Sequence, residues 1–85
     1  MLELRAYRKH ALTITCYPVS RSTVHQNFRT YCEIAPPGSG PCWMLLGTLD
    51  FDSAPHARAH AVSEARRSID AALIAEGLRL GPTAL

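Results

Sequence analysis

The chain contains no apolar run of the roughly 18–20 residues that a helix needs to span a bilayer, so no transmembrane helix is expected. The opening residues, Met-Leu-Glu-Leu-Arg, are not followed by an apolar segment, so a secretory signal is not expected either. The three cysteines, Cys16, Cys32 and Cys42, are odd in number and form no Cys-x-x-Cys motif, which argues against a disulfide framework. We therefore expect a cytoplasmic protein with reduced and buried thiols.

The sequence motifs of enzymes and cofactor sites are also missing. The glycine-containing stretch 36–41 holds no lysine and precedes no helix, so it is not a phosphate-binding loop. His56 and His60 have the i,i+4 spacing that can hold a metal, but no HExxH arrangement and no third ligand accompany them. Two solvated histidines explain the pair more simply than a metal site. We expect no cofactor and no enzymatic activity.

Positive charge is unevenly distributed, although the net charge is only +2. Residues 1–30 carry five cations against Glu3 alone, and the remainder carries four cations against six carboxylates. Such a basic half can attract phosphate. The candidate nucleic-acid contacts are Arg5, Arg8, Lys9, Arg21 and Arg58. A solubilised surface accounts for the same distribution and is the interpretation we favour.

Three segments have the alternation of a half-buried β-strand. In the first, about 11–17, Leu12, Ile14 and Cys16 share one face. The second, about 24–35, places Thr30, Cys32 and Ile34 inward, and the loop 36–41 then joins it to its neighbour as a hairpin. The third covers about 42–51. Residues 1–10 permit a short edge strand in addition.

The third strand is apolar on both faces. Trp43, Leu45 and Phe51 fall on the face that should meet a helix, which leaves Met44 and Leu46 on the other. A sheet covered by one helix has one face left over, so we expect an interface around Met44, Leu46 and Tyr31. Gly47 indicates a bulge or the close approach of another backbone, for which the helix is the natural candidate.

One long helix is predicted over about 53–76. Ser53 is the expected N-cap and Pro55 fits the first turn, where its missing amide is not required. Gly77 is predicted to follow the last helical residue, a position that favours glycine. The apolar stripe predicted to cover the sheet comprises Arg58, Ala61, Val62, Ala65, Ile69, Ala72 and Leu73.

The C-terminal third resembles small uncharacterised bacterial proteins in which a strand meander precedes an F-D-[ST]-x-x-x-A helix start and an R-x-I-D-A helix finish. The matching residues are Phe51, Asp52, Ser53, Ala57, Arg67, Ile69, Asp70 and Ala71. This resemblance implies a β-meander packed on a helix and implies no activity. A weaker similarity is to HicB-type antitoxins and the double-stranded-RNA-binding-like fold, with Ser53 and His56 at the Thr and Glu positions of a T-x-x-E-A helix.

The sequence therefore predicts a single α+β domain over residues 1–85: a three-stranded antiparallel meander with one C-terminal helix on one face. An interaction module that forms a homodimer through the open sheet face is the first functional hypothesis. A nucleic-acid-binding or antitoxin-like protein that uses the basic half is the second. Self-association, or another protein, is the expected partner, and no membrane is.

Overall fold

The computed structural model describes residues 2–19 and 26–80, with side chains as far as Gly77. Four strands form one antiparallel sheet in the order β1-β2-β3-β4, and a single helix follows them. The elements are β1 (Leu2–Tyr7), β2 (His10–Pro18), β3 (Phe28–Ala35), β4 (Trp43–Leu46) and α1 (Ala54–Leu80). The predicted α+β meander is confirmed, and the permitted N-terminal strand forms its edge. Arg21 and residues 24–25 of the predicted second strand lie outside the described residues.

The core lies between α1 and the two central strands. Leu12 and Ile14 of β2 and Cys32 and Ile34 of β3 are almost fully buried, as their alternation predicts. From the helix, the core receives Ala57, Ala61, Val62, Ala65 and Ile69. Four of these five side chains are alanine or valine, so the helix axis can lie close to the sheet. Cys16 is also buried, but Cys42 is exposed because it lies in the loop before β4.

The helix begins as predicted and continues further. The Ser53 hydroxyl accepts a hydrogen bond from the His56 amide at 3.2 Å, which is the expected N-cap. Ala72, predicted on the core stripe, is exposed, and Gly77 lies within the helix. Twenty-seven residues make a helix of about 40 Å, and residues 74–77 near its end are exposed.

The strand β4 is shorter than predicted and ends at Leu46 instead of Phe51. The Gly47 amide still donates to the Thr30 carbonyl at 2.8 Å, but the next pairing joins Phe28 to Phe51, so residues 48–50 bulge out of the ladder. A Cβ at Gly47 would lie 2.5 Å from the Thr30 carbonyl oxygen. Gly47 therefore marks a close approach, as predicted, but to β3 and not to the helix.

Candidate functional site

The sheet face opposite α1 carries aliphatic side chains at both of its edges. Strand register aligns two rows of side chains across all four strands, Leu2–Thr15–Tyr31–Leu46 and Leu4–Thr13–Glu33–Met44. We call these two rows, with Tyr17 and Arg29, the open face. At a strand spacing of about 4.8 Å, each row is about 14 Å wide. The predicted residues Met44, Leu46 and Tyr31 do share this face.

Four aliphatic side chains at the edges of the open face are exposed to solvent. Leu2 is 62% exposed, Leu4 71%, Met44 51% and Leu46 71%. Leu2 and Leu4 were not among the predicted interface residues, although their alternation with Glu3 and Arg5 was the available signal. Only the β1–β2 register shows that they lie in line with Leu46 and Met44. Four exposed aliphatics on one face exceed the scattered apolar residues that an ordinary surface carries.

The centre of the open face is aromatic and polar. The Tyr17 and Tyr31 rings lie with centroids 6.0 Å apart. Arg29 and Glu33 are two residues before and two residues after Tyr31 on β3, so a cation and an anion flank it on the same face. The Arg29 Nε donates to Asp50 Oδ1 at 2.7 Å, and this hydrogen bond raises the pKa of Arg29.

On the β1 side, ion pairs link the sheet to the helix. Glu3 accepts from Arg58 of α1 at 3.1 Å and also pairs with Arg5. Asp70 of α1 accepts from Arg8 at 2.8 Å and from the Tyr7 hydroxyl at 3.0 Å. Hydrogen bonds from Arg8 and Tyr7 lower the pKa of Asp70, and the same Asp70 carboxylate raises the pKa of Tyr7. These contacts close the space between β1 and α1.

The same ion pairs involve three of the predicted nucleic-acid contacts. Arg5, Arg8 and Arg58 each pair with a carboxylate of this chain, and Lys9 lies in the tight turn between β1 and β2. A phosphate would have to compete with Glu3 and Asp70 for these guanidinium groups. Nucleic-acid binding by the basic half stays a prediction, and this geometry gives it less support than the sequence did.

On the β4 side, a groove of about 500 Å³ separates the strand from the helix. At one end, the Trp43 indole Nε1 donates to the Ser68 hydroxyl at 3.0 Å. At the other, the Phe51 ring lies 5.0 Å from the ring of His60. Between these ends the groove is lined by Thr30, Cys32, Leu45, Leu49, Ala61 and Ala71. Glu64 and Arg67, joined at 3.0 Å, form its helix-side rim.

The histidine pair packs around an aromatic ring. The centroids of His56 and His60 lie 5.1 and 5.0 Å from that of Phe51. Among residues 2–19 and 26–80, no group of three or more His, Cys, Asp or Glu side chains is placed to hold a metal. The two histidines have a packing role that explains their spacing. Helical i,i+4 side chains lie on one face, and here that face meets Phe51.

The buried thiols are poorly suited to nucleophilic chemistry. Burial raises the pKa of the Cys32 thiol, because the low-dielectric interior disfavours the thiolate. A cysteine that remains a thiol is a weak nucleophile. Cys32 lies at the floor of the groove, so this site offers an apolar wall and not a reactive group.

The part of the chain described by the structure includes no helix that is both long enough and apolar enough to cross a membrane. Comparison with protein-family models, with curated proteins and with solved structures gives no match. The resemblances drawn from the Phe51–Ala71 motif therefore stay predictions. Function has to be argued from the two surfaces, the open face and the groove.

Proposed function

We propose that this protein is a non-enzymatic interaction module that pairs with a second copy of itself through the open face. The observation that carries this proposal is the set of four exposed aliphatic side chains, Leu2, Leu4, Met44 and Leu46, on one face of a sheet. The helix covers the other face. An 85-residue domain leaves about a third of its unfolded surface unburied, and pairing sheet to sheet removes apolar area from water.

The charges of the open face favour a second copy as the occupant. Consider a two-fold axis that lies between the two sheets and runs perpendicular to β3 at Tyr31. This axis places the Tyr31 side chains of the two copies opposite each other. The same axis brings Glu33 of one copy over Arg29 of the other, since each lies about 7 Å from Tyr31 along the strand. The contact occurs twice by symmetry, as in any isologous interface. Arg29 donates through Nε to Asp50 and also hydrogen-bonds Tyr17, and a guanidinium group has five N–H donors, so it can also meet Glu33 of the second copy.

Two features of the groove side support a role without catalysis. The histidines that could act as bases are packed against Phe51, and the thiol at the groove floor has a raised pKa. Nucleophilic catalysis needs an activated nucleophile, and a thiol with a raised pKa is not activated. We therefore expect the protein to act by binding through its surface and not by catalysis.

Sedimentation equilibrium of the protein and of two lysine variants tests the proposal. We expect the parent to have twice the 9.3 kDa chain mass. Leu46→Lys should be monomeric because it buries a charged side chain in the apolar part of the contact at the β4 edge. Leu49→Lys is the matched control, since Leu49 is equally apolar and 55% exposed but lies off the open face, and it should remain a dimer. A parent that stays monomeric up to about 1 mM contradicts the proposal.

Charge reversal tests the arrangement of the two copies. Glu33→Arg places like charges across the proposed axis and should weaken the dimer by about tenfold. The double variant with Arg29→Glu restores opposite charges and should recover most of that loss. Thermal melts show whether the altered Asp50 contact changes the fold itself. Equal dimer affinity of the parent, the single variant and the double variant would rule out this axis.

A further inference from the structure

We propose that β4 and the groove beside it bind an extended peptide segment of a partner protein, which adds to the sheet as a fifth strand. This site lies beside the open face and shares Met44 and Leu46 with it, but strand addition does not require dimer formation. It combines two observations: a strand edge with available backbone groups, and an apolar groove of matching length next to that edge.

The register of β4 shows which backbone groups face outward. The Gly47 amide bonds to the Thr30 carbonyl, so in an antiparallel ladder Leu45 and Trp43 also face β3 with their amides and carbonyls. Met44 and Leu46 therefore direct theirs away from the sheet. Within residues 2–19 and 26–80, no hydrogen bond to these outward groups is found. Two donors and two acceptors, spaced two residues apart, form the template for another strand.

The groove has the length of a short extended peptide. Trp43 meets Ser68 at one end and Phe51 meets His60 at the other, so β4 and α1 run in opposite directions along it. The helix residues that line the groove run from His60 to Ala71, a rise of about 16 Å, which corresponds to about five residues of extended chain. A volume of about 500 Å³ lies within the usual range for a bound ligand.

The other edge of the sheet offers no comparable site. On the β1 side, the pairs Glu3–Arg58 and Arg8–Asp70 connect strand and helix, so no groove accompanies that edge. A peptide added at the β1 edge would form backbone hydrogen bonds, but its side chains would have no pocket to enter. Of the two sheet edges formed by residues 2–19 and 26–80, the β4 edge is the one that combines outward backbone groups with a groove.

A second copy pairing through its own β4 is a poorer occupant of this site. The four-residue edge is too short to bury the roughly 1,200 Å² of a stable dimer interface. The side chains that such a partner would bring towards the groove are its Trp43 and Leu45, which pack against its own core. An unfolded segment brings side chains that are free to enter. The groove therefore fits a flexible peptide better than a folded copy.

Groove chemistry defines the peptide. The groove is lined mainly by apolar and small residues, and the opposite charges of Glu64 and Arg67 at its rim cancel. Uncharged apolar side chains therefore match the positions of the peptide that face the groove. In the added strand, residues opposite Met44 and Leu46 direct their side chains to the open-face side. Alternate residues between them enter the groove. The expected ligand alternates an aliphatic residue with a small polar one.

Fluorescence anisotropy with a labelled acetyl-Thr-Leu-Thr-Leu-Thr-amide peptide tests this geometry on the intact protein. Two further peptides carry one N-methyl group, at the central Thr or at the second Leu. The Thr amide faces β4, so its methylation should weaken binding at least about tenfold, whereas Leu methylation should change it by less than about twofold. Equal binding of all three, the reverse order, or no binding up to about 1 mM overturns the proposal.

Two alanine variants locate the peptide on the protein. Ala71→Phe fills the groove and should reduce affinity at least about tenfold, whereas Ala75→Phe, at another exposed alanine of α1, should leave it unchanged. Both positions are exposed, so both variants should retain the parent melting temperature. Unaltered peptide binding by Ala71→Phe contradicts the assignment to this groove.

Amide NMR separates this site from the dimer proposal. On peptide addition, the Met44 and Leu46 amides should shift and become protected from hydrogen exchange, in the parent and in Leu2→Lys alike, since Leu2 lies on the open face but at the opposite edge of the sheet. Protection of these amides before peptide is added would show that a second copy occupies the edge, which overturns the peptide proposal. Loss of the dimer with retained peptide binding, or the converse, shows which of the two proposals has failed.

Discussion

Arg8 and Lys9 adopt a backbone conformation that few side chains take. Their φ angles are 48° and 67°, so both central residues of the β1–β2 turn are left-handed. This is the type I′ arrangement, whose twist matches that of the flanking strands and which usually contains Asn-Gly. Arg8 is compensated by its ion pair with Asp70. Among residues 2–19 and 26–80, the Lys9 side chain has no hydrogen bond or ion pair that could offset this strain.

Lys9→Gly should raise the free energy of unfolding by about 0.5–1 kcal/mol, because glycine has no Cβ to oppose a left-handed φ. Chemical denaturation of the two proteins measures this difference. The control is Lys9→Ala, which also removes the charge but keeps the Cβ. An equal gain in Lys9→Ala would assign the effect to charge and not to the backbone.

At the scale of elements, the seam between α1 and the central strands depends on small helix side chains. Ala57 and Ala65 have no exposed surface, and Ile34 and Ile69 fill the remaining space from the two sides. Large strand residues against small helix residues bring the two layers close together. The helix therefore forms because the sheet buries one side of it, while its exposed last turns depend on their own helix propensity.

Ala65→Arg should lower the free energy of unfolding by at least about 3 kcal/mol, since it places a long charged side chain in the seam. Ala59→Arg introduces the same side chain on the exposed side of the same helix and should change stability by less than about 0.5 kcal/mol. Thermal melts of both variants provide the comparison. An Ala65→Arg melt that coincides with that of the parent would refute this packing arrangement.

Across the whole molecule, Asp70 links the first hairpin to the last element. Its carboxylate accepts from Arg8 and Tyr7, which are more than sixty residues away along the chain. These hydrogen bonds hold the Asp70 pKa below its ordinary value of 3.8. A depressed pKa in the folded state contributes stability that is complete above the ordinary value and is lost as pH falls through the lower folded value.

Asp70→Asn should therefore flatten the decline of stability between about pH 4 and the acid limit, because asparagine does not titrate. Urea denaturation at a series of pH values gives the slope for the parent and the variant. Glu76→Gln is the control, since Glu76 is an exposed carboxylate for which no ion pair is found in the described chain. If Asp70→Asn has the same slope of unfolding free energy against pH as the parent, protonation of Asp70 is not coupled to unfolding.

Local patterns in the sequence were sufficient for the inward faces of β2 and β3 and for the start of α1. Alternation in Leu12–Cys16 and Thr30–Ile34 predicted the inward strand faces, and Ser53 predicted the start of the helix, because both signals depend on residues a few positions apart. The same alternation placed Met44, Leu46 and Tyr31 on one sheet face, and their role as an interface stays a prediction. Gly47 marked a close backbone approach, although not its partner.

Only the tertiary structure decided what these elements place together. Register between β1 and β2 puts Leu2 and Leu4 in line with Leu46 and Met44, and no local pattern specifies a register across four strands. The bulge after Gly47 ends β4 early and leaves the groove beside α1. Pairing of Arg5, Arg8 and Arg58 with carboxylates likewise depends on chain segments that meet only in the fold. Sequence periodicity determines which side of an element is apolar, whereas long-range contacts determine which apolar and charged groups remain available to a partner.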